Sequence, residues 1–224
     1  MRIKIKCPDG QEKSIEQCLT CGKCLPKAIK AALLANRYKE RPKAQKPSFG
    51  ITKLTNDCLR KSYYELTEEQ ILPLERLWVY ARGQALHWFF QRGLKKEERE
   101  VFVKREFPTF SLLAFIDAIH EGILYELKST ANIPEYPQSH HTLQAQAYYS
   151  MLDEGRRARI NKILLIYLSM QKIKTFEIPK RDILPWLEEK GKKLAAALKT
   201  KTLPKKQEGW LCNYCTFKEL CQKE

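Results

Sequence analysis

The stretch that most constrains the fold is AFIDAIHEGILYELKST at 114–130, in which a Glu-Gly pair separates two apolar runs. A two-residue hairpin turn of this kind fits, because glycine supplies the positive φ that the turn needs. In the resulting register Asp117 lies directly across from Glu126. Side chains alternate between the two faces of a strand, so Lys128 shares the face of both carboxylates. The sequence therefore predicts an antiparallel pair that carries two acids and one base together.

Two opposed carboxylates among apolar residues need a counterion, because their Cβ atoms are only ~4.5–5.5 Å apart and like charges repel. Mg²⁺ or Mn²⁺ meets this need, since both prefer carboxylate, water and phosphate oxygens. Lys128 would then orient a water molecule or stabilise charge on a phosphate. The same alternation also fits an exposed polar strand face without any metal, and this alternative stays open.

The remaining periodicity predicts helices and strands in mixed order. A helix is predicted from about Leu72 to Lys96, another from Thr142 to about Glu154, and a third from near Asp182. Further strands are predicted at 101–107, 162–170 and 174–178. This order indicates an α/β (α+β) fold with a mixed central sheet flanked by helices.

The charge of the chain favours a polyanionic partner. The formal net charge is +15 and the isoelectric point is about 9.4. Nucleic acid is the commonest partner of such a protein, although a generic basic protein or a thermophile protein is an alternative. Hydrophobic residues make up 43% of the chain, enough for a core. Since the longest apolar run, 163–170, is far below the ~18 residues of a membrane span, we expect a cytoplasmic protein without a membrane partner.

Eight cysteines in a reducing compartment indicate metal binding before disulfides. Four of them stand close together near the start, as C-x(10)-C-x-x-C-x-x-C: Cys7, Cys18, Cys21 and Cys24. We favour a structural zinc site there over a second iron–sulfur cluster, with a free redox cysteine as a third alternative. The sequence thus predicts a Cys-rich module at 1–35, a basic linker at 36–50 and a main domain at 51–224.

The order of the charged residues resembles a known nuclease family. Asp117 followed by Glu126-Leu127-Lys128 is similar to the PD-(D/E)XK nuclease pattern, with Ile116 in place of the proline. The resemblance implies a restriction-endonuclease-like fold and the hydrolysis of phosphodiesters in DNA. It also implies that the carbonyl of Leu127 joins the two acids in holding Mg²⁺ or Mn²⁺, while Lys128 positions the attacking water.

Two further segments resemble the RecB-type branch of that family. ARGQALH at 81–87 is similar to a helix whose histidine, here His87, completes the metal site. QAQAY at 144–148 matches a Q-x-x-x-Y element that lies beside the active site and the DNA backbone in the family. Gln144 and Tyr148 are neighbours on one helix face.

The cysteines narrow the resemblance to RecB-type nucleases that carry an iron–sulfur cluster. These have one cysteine before the nuclease motifs and three after them, which here are Cys58, Cys212, Cys215 and Cys221. Four thiolates suit a 4Fe-4S cluster, and zinc would accept the same set. Such a cluster would connect the two ends of the domain. Alternatively, Cys58 is a buried small residue and the tail cysteines bind zinc alone.

The segment after Cys58 also fits this family, which often has an arginine followed by aromatics there. Arg60, Tyr63 and Tyr64 match, and we expect them to bind DNA, the tyrosines by stacking on bases. Over about residues 50–224 the chain most resembles the exonucleases of CRISPR adaptation. The resemblance implies trimming of single-stranded DNA with integrase-type partners. A stand-alone repair or mobile-element nuclease, a catalytically silent DNA-binding subunit and an electron-transfer protein are the alternatives.

Overall fold

The structure, a computed structural model, describes residues 3–34 and 46–223. Its strands are β1 (Ile3–Lys6), β2 (Glu12–Lys13), β3 (Ser48–Gly50), β4 (Gln70–Pro73), β5 (Arg99–Glu106), β6 (Ser111–His120), β7 (Ile123–Ser129), β8 (Lys162–Leu168) and β9 (Ile173–Ile178). Its α-helices are α1 (Ile15–Thr20), α2 (Lys27–Leu34), α3 (Ile51–Leu54), α4 (Leu59–Thr67), α5 (Leu74–Gln91), α6 (Ser139–Met151), α7 (Glu154–Ala158), α8 (Leu184–Thr200) and α9 (Lys218–Gln222). Short 3₁₀ turns cover Lys96–Glu98 and Trp210–Tyr214.

A mixed six-stranded sheet forms the centre of the molecule. Its strands follow the order β3-β6-β7-β8-β9, and β5 pairs with β6 as well. β6 is antiparallel to β5 and β7, whereas β7 and β8 run parallel. Apolar residues of α6 and α8 pack with β6, β7 and β8 in the main core, while Leu86 and Phe90 of α5 pack on a separate cluster around Leu127. The predicted mixed sheet flanked by helices is confirmed.

The hairpin between β6 and β7 has the predicted register, with Ala118 across from Tyr125. Both turn residues have a positive φ, 49° at Glu121 and 74° at Gly122, as the twist of a two-residue hairpin requires. Gly122 is also needed for space, since a Cβ there would lie 2.6 Å from the side chain of Asn161. The turn therefore fixes which residues of the two strands face each other.

The helix bounds differ from the predicted ones at their ends. α5 stops at Gln91 and not near Lys96, because the chain turns there and the backbone N–H of Leu94 donates to the carbonyl of Gln91. α6 begins three residues before the predicted Thr142. No helix in the part of the chain that the structure describes is both long and apolar enough to cross a bilayer.

The N-terminal segment is joined to the main domain by a small sheet. β1 pairs in parallel with β4, and β2 extends this sheet on the other side of β1. A separate core lies beneath it: Ile5, Ile15, Cys18, Leu33, Leu34, Leu72, Leu74 and Leu77. The predicted linker is wrong at its end, since Ser48–Gly50 forms β3 against β6. Its residues 36–45 lie outside the described ranges.

Candidate active site

The two predicted carboxylates lie together where β6 and β7 continue beyond their paired ends. Asp117 is 8% exposed and Glu126 is 1% exposed. The Oδ2 atom of Asp117 accepts a hydrogen bond of 2.7 Å from the backbone N–H of Leu127. This bond spans the two strands and holds the Asp117 carboxylate beside the E-x-K segment, as the sequence predicts.

Lys128 completes a chain of polar contacts that leads into α6. Its Nζ atom lies 2.5 Å from Oε1 of Glu126 and donates a 2.9 Å hydrogen bond to Oε1 of Gln144. The amide nitrogen of Gln144 in turn donates to the hydroxyl of Tyr148 at 2.9 Å. The predicted Gln144–Tyr148 pair thus holds the lysine side chain from the helix side.

Glu126 has one carboxylate oxygen without a partner. Its Oε2 atom is fully buried and makes no hydrogen bond among the described residues. Burial raises the pKa of Glu126 to about 7, the charge of Lys128 opposes this rise, and that of Asp117 adds to it. Buried polar atoms are rarely left unsatisfied, so this oxygen fits the role of a metal ligand.

His87 approaches the acids from α5, with its Nδ1 atom 3.5 Å from Oδ1 of Asp117. Burial lowers the pKa of His87, but the hydrogen bond and charge of Asp117 outweigh burial, and the net pKa is raised. The glycine one turn earlier allows the helix to come this close, since a Cβ on Gly83 would lie 2.9 Å from Oγ of Ser129. The histidine predicted from the ARGQALH segment therefore reaches the site.

Glu100 belongs to the same cluster and was not predicted from the sequence. Ligand atoms of His87, Glu100 and Asp117 all lie within 4.8 Å of one another. Glu100 has a φ of 48°, and its Oε1 accepts a 2.8 Å hydrogen bond from Gln91. The amide of Gln91 also donates to the backbone carbonyl of Asp117, which ties β6 to α5.

The strand register explains why Glu100 lies there. β5 and β6 pair with Arg99 across from Ala118 and Val101 across from Ile116, so Glu100 stands opposite Asp117. Each of three adjacent strands thus brings one acid to the site: Glu100, Asp117 and Glu126. The signal was available in the sequence, since only the four residues 107–110 connect β5 to β6 and so limit their register.

The four cysteines predicted for the cluster line one cavity of about 330 Å³, although about 150 residues separate the first from the rest. Cys58 stands just before α4, and the others come from the tail: Cys212, Cys215 and Cys221. Burial raises the pKa of Cys215, and its neighbours Cys58 and Cys212 add to this. A cavity lined by four thiols fits the donor set of a metal cluster.

The N-terminal cysteines also lie in one neighbourhood. Burial raises the pKa of Cys18, which interacts electrostatically with Cys7, Cys21 and Cys24. A backbone hydrogen bond at Lys23, together with the ammonium of Lys13, lowers the pKa of Cys21. The Lys13 ammonium lies 3.2 Å from the sulfur of Cys21. This surrounding favours a thiolate at Cys21.

The residues predicted to bind DNA beside Cys58 are placed differently from that prediction. Tyr63 and Tyr64 are 7% and 2% exposed, and Tyr64 packs against Phe217 with ring centroids 5.6 Å apart. The Arg60 side chain donates to the carbonyl of Pro204 at 2.7 Å and points to the sulfur of Cys221. Rings buried in the core are not available for stacking on bases. Tyr64 and Arg60 instead join α4 to the tail.

Solved structures were compared with the fold of this chain. The crystal structure of SSO0001 is similar, with a TM-score of 0.63 and 21% identity over 86% of this chain and 93% of that one, a likeness of fold. An exonuclease candidate from Eubacterium rectale has a TM-score of 0.36 and 13% identity over 87% and 81%, too distant for any argument. A search of curated proteins gave no significant match.

A family model identifies the chain. The model of the PD-(D/E)XK nuclease superfamily matches residues 30–222, which include every residue of the site described above except the N-terminal cysteines. Nucleases of this family usually use a divalent metal such as Mg²⁺ or Mn²⁺, and the acidic cluster beside His87 is a candidate for that metal. The chain belongs to the PD-(D/E)XK nuclease superfamily.

Proposed function

We propose that the protein is a metal-dependent exonuclease that hydrolyses phosphodiesters of single-stranded DNA. The observation that carries this proposal is the partnerless buried oxygen of Glu126, whose carboxylate also contacts the Lys128 ammonium and interacts electrostatically with Asp117. A vestigial site, as in a DNA-binding subunit without activity, would not need to retain this costly arrangement.

In this proposal His87, Asp117, Glu126 and the carbonyl of Leu127 hold Mg²⁺ or Mn²⁺, and Glu100 adds a carboxylate. A bound divalent cation would lower the pKa of a water molecule and neutralise phosphate charge. The other catalytic roles belong to side chains of the protein.

Lys128 is the residue that would contact the reacting groups. Its ammonium, held by Gln144, donates hydrogen bonds to the water and to the phosphate oxygen that gains charge. Tyr148 keeps the Gln144 amide oriented from the next turn of α6. In this proposal Lys128 contacts the reacting groups. Gln144 holds Lys128, and Tyr148 holds Gln144, so these two are positioning residues.

We further propose a 4Fe-4S cluster held by Cys58 and the three tail cysteines, with zinc as the other occupant of the same thiols. The cavity that these cysteines share supports this assignment. For the N-terminal cysteines we propose a structural zinc, with a second iron–sulfur cluster as the alternative. Metal analysis of the purified protein distinguishes iron from zinc at each site when the two sets of cysteines are substituted separately.

The cellular role proposed is the trimming of DNA in CRISPR adaptation, with integrase-type partners. It rests on the sequence resemblance alone. Repair or mobile-element DNA would be processed by the same chemistry, so a pull-down of integrase-type proteins from the native host is the relevant test.

The decisive experiment is a cleavage assay on anaerobically purified protein. Single-stranded and duplex DNA, labelled at either end, are offered with Mn²⁺ or Mg²⁺. We expect metal-dependent mononucleotide release from single strands, and the labelled end gives the polarity. Asp117→Asn should lose cleavage, and Lys128→Gln should lose it while still binding Mn²⁺. Equal cleavage by wild type and Asp117→Asn, or none by a folded wild type, would contradict the proposal.

A further inference from the structure

A second cavity opens directly beside the candidate catalytic lysine. It measures about 420 Å³, and Lys128 and Gln144 lie in its wall. The tail contributes Trp210 and Leu211, and α5 contributes Tyr80. Ligand pockets in proteins usually measure ~300–1,000 Å³, so this cavity can hold a ligand of small-molecule size. Because Lys128 belongs both to the candidate active site and to the wall of this cavity, a DNA strand whose phosphate contacts Lys128 can extend into the cavity.

An aromatic surface lies in the wall of this cavity. The rings of His140 and Trp210 lie 5.0 Å apart at 32° between their planes. The Trp210 indole N–H donates a 3.0 Å hydrogen bond to Oδ2 of Asp57, which fixes the ring, while the side chain remains 49% exposed. Burial lowers the pKa of His140, so its imidazole is neutral and offers a ring without charge. A fixed, half-exposed indole is a suitable platform for a flat ring.

The wall of the cavity also carries basic residues. Lys53 and Lys61 both contact the single carboxylate of Glu65, so two ammonium groups share one acid. Lys128 also lies in the wall, so the lining combines three lysines and two acids with the aromatic platform. A ligand with a flat ring and phosphates matches this lining, and a nucleotide within a strand is such a ligand.

We infer that this cavity binds the nucleotide next to the scissile phosphate, with its base against Trp210 and His140. A cavity of about 420 Å³ matches one nucleotide of a single strand. This inference rests on the proposed nuclease function. It adds the position of the base and the residues that recognise it, and stacking makes the recognition tolerant of sequence.

The test uses single-stranded oligonucleotides in which one abasic residue is moved stepwise past the scissile bond. For wild type, one position should lower kcat/KM by about 5- to 100-fold, the usual contribution of one stacked base. Trp210→Ala should lose a similar factor on intact DNA and nothing more from the abasic residue. Trp210→Phe keeps a ring and should restore the sensitivity. Trp78→Ala is the matched control, because Trp78 is 60% exposed on α5 and does not line this cavity.

Additive losses from Trp210→Ala and the abasic residue would overturn the inference, as would equal cleavage of all abasic substrates by wild type. Iron is measured in each variant, so that loss of the tail structure is recognised. A wild type that cleaves nothing contradicts the nuclease proposal instead. In that case the affinity of Asp117→Asn for intact and abasic strands, measured by fluorescence anisotropy, still decides whether the subsite exists.

Discussion

At the scale of single residues, three acidic side chains lie close enough at the centre of the sheet to repel one another. Glu100, Asp117 and Glu126 come from the adjacent strands β5, β6 and β7, and like charges close together in a sheet repel one another. Hydrogen bonds from Gln91 and from the backbone of Leu127 stabilise two of them, and the third keeps a bare oxygen. The positive φ of Glu100 adds backbone strain at the same point. A divalent cation would offset the repulsion among the acids.

Glu100→Gln should weaken Mn²⁺ binding by about 10-fold, because it removes one negative charge from the cluster but keeps an oxygen for Gln91. Electron paramagnetic resonance of free Mn²⁺ measures this affinity directly. Glu97→Gln is the matched control, since Glu97 is exposed and does not belong to the metal cluster. Equal affinities in the two variants would remove Glu100 from the site.

The affinity for Mn²⁺ should rise with pH. The metal needs a neutral His87 and an ionised Glu126, and both pKa values are raised, that of Glu126 to about 7. Below these values protons compete with the metal, so between about pH 6 and about pH 8 affinity should increase by about 10- to 100-fold. Titrations at both pH values measure the change. In His87→Gln the increase should be smaller, and a pH-independent affinity would contradict these assignments.

At the scale of elements, α6 shows why the packing around the site was only partly predictable. This helix has no clear apolar stripe, because its buried residues include three polar ones: Gln144, Gln146 and Ser150. Gln146 donates to the carbonyl of Pro179, and Ser150 accepts from the backbone of Ile183. These bonds connect α6 to the segment before α8. Their partners are about 30 residues away, which no local pattern reveals.

α8 packs on the sheet through a glycine. A methyl group on Gly191 would overlap the ring of Phe110, which is fully buried between Phe49 and Phe107. Gly191→Ala gains about 1 kcal/mol of helix propensity, but overpacking against a ring that cannot move costs ~1–3 kcal/mol. We therefore expect a lower free energy of unfolding in denaturant titrations. Gly93→Ala, where a Cβ meets nothing within 4 Å, is the control. A Gly191→Ala protein as stable as that control would mean that the packing relaxes.

At the scale of the whole molecule, the tail closes the domain on α4. Tyr64 packs on Phe217, and Arg60 holds Pro204. The ammonium of Lys190 also bonds the carbonyls of Leu54 and Asn56, which places α8 against the same region. These contacts bring Cys58 to the tail cysteines, and a cluster held by those cysteines would reinforce the connection.

Cys221→Ser should lower the iron content and the unfolding temperature, because the metal joins segments about 150 residues apart. Iron analysis and the visible absorbance of the anaerobic protein measure the first, and thermal unfolding measures the second. Cys24→Ser should retain the tail iron, since Cys24 is exposed in the N-terminal segment. A folded Cys221→Ser protein with full iron content would refute the proposed ligand.

The sequence by itself determined the hairpin register and hence the meeting of Asp117, Glu126 and Lys128, because a two-residue turn and strand alternation are local rules. Through family resemblance it also predicted that His87 reaches the acids and that Cys58 belongs with the three tail cysteines. Only the tertiary structure decided that Glu100 joins the acids, and that Tyr63 and Tyr64 lie in the core. It likewise paired β1 with β4, where a separate module was predicted. Each of these depends on contacts between segments distant in the chain, whose free energy comes from burial and not from local conformation.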